Sequence, residues 1–285
     1  MKKILSICVL VISVLTLSAQ DAAQKINDAN DALKNKEYAK AFELYKSALN
    51  NLGDVEVDAS INYNVGFAAY QANKYQEAIE YFNKAIEASA NISKSHEFIA
   101  NAYTKLKQYK KAVASYEKAI ETDKSGEKSL FYNAAIAAYK GKIYDKAAIL
   151  FQKAVDAGYK AANAQYYKAV VLKKMNKNDE YKQTLIEGAE KFPSNNKIRS
   201  ALAKLYVTEG NSLYKQGVGI LNVVNKKVNE GALQTDDAAY TAEVEKAKTE
   251  FKKAAGILKK ATALDASNKN AQKLLDACNQ NIMSL

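Results

Sequence analysis

The sequence predicts an all-α chain: a solenoid of stacked antiparallel helix pairs, with an elongated last unit and a helical cap. Three observations carry this expectation. Breakers are scarce, with 11 glycines and a single proline in 285 residues, too few for an all-β sandwich that turns every 8–12 residues or so. A stripe of alternating rings and alanines, spaced 3, 4 and 3, runs through Tyr38, Ala41, Tyr45 and Ala48, which puts all four on one helix face. That stripe recurs as Tyr75, Ala78, Phe82, Ala85, then Tyr109, Ala112, Tyr116, Ala119, then Tyr144, Ala147, Phe151, Ala154, displaced by 37, 34 and 35 residues. Self-similarity at such a period marks a repeat architecture. Alanine lets helix axes approach closely while the ring fills the adjoining hole. At 48% hydrophobic and 26% charged, the composition excludes a disordered or collagen-like chain.

In chain order, residues 1–20 read as a signal peptide. Lys2 and Lys3 precede an apolar run from Ile4 to Leu17, closed by Ser18, Ala19 and Gln20. The run holds 14 residues, short of the roughly 20 that span a membrane, so cleavage is expected and a retained anchor is the alternative. The expected location is therefore exported: periplasmic in a cell with two membranes, otherwise secreted or surface-associated, with no transmembrane span after cleavage. Cys8 lies inside the run, so Cys278 is then left alone and closes no intramolecular disulfide. It reads as a packed small apolar residue, with intermolecular pairing as the sharper alternative.

Residues 21–195 divide into five repeats, about 22–55, 59–92, 93–126, 128–161 and 162–195. The turns inside the pairs are short and polar, as in Asn73-Lys74 and Lys107-Gln108. The fifth copy keeps the phase with Asn178, Tyr181, Leu185 and Gly188, and Pro193 closes it. Phe251, Ala254, Leu258 and Ala261 form a sixth stripe displaced by 73 residues from the fifth, Asn178 to Phe251, so residues 196–268 form a unit of about twice the normal length. Two helices are expected there, about Asn196 to Val228 and about Asp236 to Leu264, with Thr235 as a cap for the second. Gly210, Gly217 and Gly219 make a break in the first an alternative. Residues 269–285 read as a capping helix, the polar-faced end that a stack requires.

The stripes resemble the second helix of the tetratricopeptide repeat (TPR), whose pattern is Tyr-x-x-Ala-x-x-x-Tyr/Phe-x-x-Ala. The family's first helix has a small residue twelve positions before the first of those alanines, and here Ala29, Gly66, Ala100 and Ala135 stand there. The resemblance implies a right-handed α-solenoid, the TPR superhelix, whose first helices line a concave peptide-binding groove. Its groove positions fall on Tyr63, Asn64, Phe67, Tyr70, Asn101, Lys105, Tyr132, Asn133, Tyr139, Lys140, Tyr166 and Lys173, flanked by Asn30, Lys34, Lys94, Glu97, Ile136, Val170 and Lys174. Tyrosine offers rigid contact area with a polar tip, asparagine bonds a peptide backbone in either sense, and lysine favours a carboxylate. The competing account is that several of these rings pack against the next repeat. One family subtype clamps a C-terminal carboxylate; Asn30, Asn64 and Lys94 match three of its five positions, but Ile26 and Phe98 replace the other two cations, so a full clamp is not expected.

Catalytic chemistry is not visible. His96, the single histidine, stands without a partner motif and reads as a packed ring. Metal-ligand spacing and a glycine-rich phosphate loop are missing, and Asp28-Ala29-Asn30-Asp31 lacks the glycine and closing glutamate of a calcium hand. A non-enzyme without cofactor or metal is expected. The charge of +11 comes from 42 basic and 31 acidic residues, yet only Arg199 is arginine, the residue that grips phosphates bidentately. Nucleic acid is thus not expected as a partner. With no tryptophan to stack on sugars, glycan binding is less favoured. The expected function is a protein–protein scaffold or adaptor of the cell envelope that binds an extended peptide segment. A self-associating structural envelope protein, a homo-oligomer without a groove ligand, is the alternative.

Overall fold

The computed structural model describes residues 19–52, 56–58 and 60–285, and every regular element among them is an α-helix. Most of the expected signal peptide, residues 1–18, lies outside the described residues. The chain divides into two compact units, one ending at Lys160 and one running from Ala161 to Leu285.

The first unit holds four helix pairs: α1 (19–34) with α2 (Tyr38–Leu49), α3 (Ile61–Gln71) with α4 (Tyr75–Glu87), α5 (Ile92–Lys105) with α6 (Tyr109–Thr122), and α7 (Ser129–Lys140) with α8 (Tyr144–Asp156). The ring-and-alanine stripes are its seams. Ala41, Tyr45 and Ala48, and likewise Ala78, Phe82 and Ala85, are wholly buried, as are Ala147, Phe151 and Ala154. The small first-helix residues explain how closely the paired helices approach: a Cβ on Gly66 would stand 2.9 Å from the Phe82 ring.

One turn chemistry closes every pair. Lys36, Asn73, Lys107 and Lys142 all have φ near +60°, and the next amide donates back to a first-helix carbonyl. These bonds are Glu37 N to Ala32 O, Lys74 N to Ala69 O, Gln108 N to Tyr103 O and Ile143 N to Ala138 O, at 2.8–2.9 Å. This is the Schellman arrangement, which satisfies the last carbonyls of a helix and reverses the chain at once. Asn176, with Lys177 N bonded to Leu172 O, repeats it in the second unit.

The second unit contains α9 (Ala161–Lys174), α10 (Asn178–Lys191), α11 (Asn196–Asn229), α12 (Ala238–Leu264) and α13 (Lys269–Ser284). The Asn195 side chain caps α11 by accepting from Ile198 N. The helix then runs unbroken through Gly210, Gly217 and Gly219. The glycines are not break points because α12 needs the space: a Cβ on Gly210 would lie 2.6 Å from Leu258 and one on Gly217 2.8 Å from Phe251. Ala203, Gly210, Gly217 and Val224 are buried at intervals of seven, facing Val244, Ala247, Phe251, Ala254, Leu258 and Ala261 at alternating intervals of three and four. That is the heptad seam of a two-helix coiled coil. Asp237, rather than Thr235, holds the N-cap position of α12, and its carboxylate accepts from Gln234 N.

Helix α13 packs Leu275 and Cys278 against Ala254, Ala255 and Leu258 of α12. Burial pushes the Cys278 thiol up to about 11. No described helix is long and apolar enough to cross a membrane.

Candidate peptide-binding surfaces

In the first unit the inferred groove residues are already in company. Phe98 of α5 is the hub: it stacks on Phe82 at 5.3 Å and receives Tyr63, Phe67 and Tyr70 edge-on at 6.1, 5.4 and 5.4 Å. Three rings of α3 thus lean on the next repeat, all half-buried, and burial raises the hydroxyl pKa of Tyr63 and Tyr70. Tyr132 meets Phe151 and Tyr159 edge-on and carries the Lys160 ammonium over its face. Tyr139 lies against Tyr144. Asn133 is half-buried on α7, and Lys105 and Lys140 end their helices exposed.

Asn30, Asn64 and Asn101 are similarly engaged. Tyr45 Oη donates to Asn30 Oδ1 at 2.6 Å and Tyr116 Oη to Asn101 Oδ1 at 2.5 Å, each pair fifteen residues apart. Asn64 also hydrogen-bonds the Tyr45 hydroxyl, opposing part of a burial effect that lifts its pKa to about 12. Where the seam ring is Phe82 or Phe151 and carries no hydroxyl, the corresponding first-helix residue is Phe67 or Ile136. The pairing follows the rule that a buried hydroxyl needs a partner and a buried phenyl does not. Lys94, the third clamp position, is paired with Glu97 at 2.9 Å.

In the second unit the corresponding face is open. Helices α9, α10 and α11 enclose a trough of about 1160 Å³. Tyr166, Val170, Lys173 and Lys174 line it from α9, at spacings that place them on one face. Tyr181 and Leu185 of α10 form its buried floor. Lys197, Ser200, Ala201, Lys204, Leu205 and Thr208 line it from α11, again on one stripe. Lys173 Nζ sits 5.3 Å over the Tyr181 ring and Lys197 Nζ 5.9 Å over Tyr166, which steers both ammonium groups toward the apolar floor. Lys182 is committed to Glu209 at 2.8 Å. Lys173, Lys174, Lys197 and Lys204 have no ion-pair partner among the described residues.

Of the residues inferred from sequence, Tyr166 and Lys173 come together in this trough, while Tyr63, Phe67 and Tyr70 come together around Phe98. The α11 wall was not inferred, since the sixth unit has no regular repeat to align. Its signal was the run Lys197, Ser200, Ala201, Lys204, Leu205, Thr208 directly after the proline boundary. No group of three or more His, Cys, Asp or Glu side chains among the described residues is arranged to hold a metal ion.

These pairs, seams and repeated turns define a helical-repeat protein of stacked antiparallel pairs. Residues 59–91 and 93–125 each match the family model of the tetratricopeptide repeat, so the chain carries tetratricopeptide repeats over these two segments. Among curated proteins, the human DnaJ homolog subfamily C member 7 is 32% identical over 127 residues, 44% of this chain but only 26% of that protein. Its mouse counterpart is 30% identical over the same length. The chain thus spans about a quarter of the length of these relatives. Among solved structures, YrrB, described as a TPR protein with an unusual peptide-binding site, aligns with a TM-score of 0.52 at 20% identity, over 66% of this chain and 94% of its own. A tetratricopeptide repeat protein from Parabacteroides merdae aligns over 91% of this chain and 99% of its own, with a TM-score of 0.50 at 20% identity. Tetratricopeptide repeats are in general a protein-interaction fold, and the two matched repeats support a protein–protein interaction scaffold.

Proposed function

We propose that the chain holds an extended segment of a partner protein against its first-helix faces, with the trough of α9, α10 and α11 as the principal seat. The observation that carries this is the trough itself: about 1160 Å³, above the roughly 300–1,000 Å³ of small-molecule clefts, with an apolar floor and four rim lysines that have no ion-pair partner among the described residues. Along α11 the lining runs from Asn196 to Glu209, about 20 Å at the helical rise. That accepts about six residues of extended chain. The peptide-binding site named for YrrB is in keeping with this reading. On the same proposal residues 1–20 direct export, and the partner belongs to the cell envelope.

A photo-crosslinking residue at Ser200, inside the trough, is expected to attach a discrete protein in intact cells, whereas one at Glu180 on exposed α10 surface is not. Equal adducts from both positions, or none from Ser200, would overturn the proposal.

A further inference from the structure

Resting on that proposal, we infer that the trough of the second unit selects an acidic segment of its partner, recognised by internal Asp and Glu side chains and not by a free C-terminus. The trough carries five lysines against two acidic residues, Asp179 and Glu209, and Glu209 is already spent on Lys182. The four remaining lysines stand in two pairs on opposite walls: Lys173 and Lys174 end α9, while Lys197 and Lys204 line α11. Along α11 the latter two are about 10 Å apart at the helical rise, the reach of about three extended residues. A chain lying between the walls therefore meets a cation on either side at successive positions, an arrangement that matches side chains along a segment and not one terminal carboxylate.

Lys197 strengthens the case. It occupies the first turn of α11, where no acidic side chain is present and where a cation opposes the helix dipole. An anionic ligand relieves that opposition. Tyr166 on the α9 wall and Tyr181 on the floor supply apolar contact between the charges, so partner carboxylates and intervening apolar side chains are both accommodated. Nucleic acid fits less well. Arg199 does not enter the trough; its Nη2 donates to Leu264 O at 2.7 Å and ties α11 to the end of α12.

The test is fluorescence anisotropy on the full chain with three labelled ten-residue peptides of one apolar framework: one carrying four Asp or Glu residues, one with those positions as Asn or Gln, and one with lysines. The acidic peptide is expected to bind at least tenfold tighter than the neutral one, and more weakly as salt rises. Lys173→Gln, Lys174→Gln, Lys197→Gln and Lys204→Gln combined should lose that preference at unchanged helicity and melting temperature, and arginine at the same four positions should retain it. Equal binding of acidic and neutral peptides overturns the charge selectivity while leaving the scaffold proposal standing. Acidic binding that the glutamine variant does not weaken overturns the location. Tighter binding of duplex DNA or phosphatidylglycerol vesicles than of the acidic peptide, lost in the same variant, overturns the peptide as occupant. Crosslinking at Ser200 without binding of any of the three peptides overturns the acidic-segment inference alone, and absence of both overturns the proposed function with it.

Discussion

The first unit and the second turn the same helix-pair plan to different ends. In the first, several first-helix rings and amides are consumed internally: Phe98 gathers Tyr63, Phe67, Tyr70 and Phe82, and Asn30 and Asn101 satisfy seam tyrosines. In the second, Tyr166 and Lys173 face an open trough with α11 as its far wall. A residue type at a groove position therefore does not fix its role. What decides is whether the next repeat presents a partner for it.

The largest expected effect breaks the first side of this contrast. Phe82 is fully buried and stacked on Phe98, so Phe82→Ala should destabilise by about 3–5 kcal/mol, measured by urea unfolding followed by circular dichroism. If the rings of the first unit serve packing, acidic-peptide binding in the second unit should survive at denaturant-free equilibrium. A loss below 1 kcal/mol would mean the cluster is not structural.

The coiled-coil seam of the second unit gives an effect of opposite sign at two neighbouring glycines. Gly217→Ala forces a methyl group into the Phe251 ring and should destabilise by about 1–3 kcal/mol. Gly219→Ala meets open space and should stabilise by about 0.5–1 kcal/mol through backbone entropy. Similar melting shifts at both would show that the two helices do not approach as closely as Gly217 requires.

The asparagine–tyrosine pairs sharpen the contrast further. Asn101→Ala removes the acceptor of the buried Tyr116 hydroxyl and leaves it only Thr104, which should cost about 0.5–1.5 kcal/mol. Asn101→Ile together with Tyr116→Phe copies the Ile136/Phe151 pair and should recover most of that loss. A double-mutant cycle without coupling would return Asn101 to the pool of ligand contacts.

The smallest effect is in pH. Burial raises both seam tyrosines, Tyr45 to about 12 and Tyr116 also upward, above the unfolded value of about 10. The neutral folded form is thus favoured. This stability is fully present below pH 10 and is lost as pH rises from there through the folded values. Tyr116→Phe should flatten the decline, and an unchanged alkaline profile would place that hydroxyl in solvent.

Much of the fold was legible because its seams repeat. Rings and alanines at 3, 4 and 3 spacing determine which face is buried, and the structure buries Ala41, Ala78, Ala112 and Ala147 completely. The continuity of α11 was not legible, because glycine propensity argues for a break and only the Leu258 and Phe251 side chains on α12 supply the reason for Gly210 and Gly217. The ring cluster was half-visible: Phe98 could be seen replacing a clamp cation, but its four aromatic neighbours come from α3 and α4, brought together only by stacking. The α11 wall of the trough escaped notice because the elongated unit offers no repeat register to transfer.

Hydrogen exchange on the full chain, with and without saturating acidic peptide, tests the central claim most directly. Protection confined to residues 161–174 and 196–209, the two lysine-bearing walls, is the predicted result. Protection spread over α3, α5 and α7 with none at those walls would contradict it, and would give the first-unit rings back to the ligand.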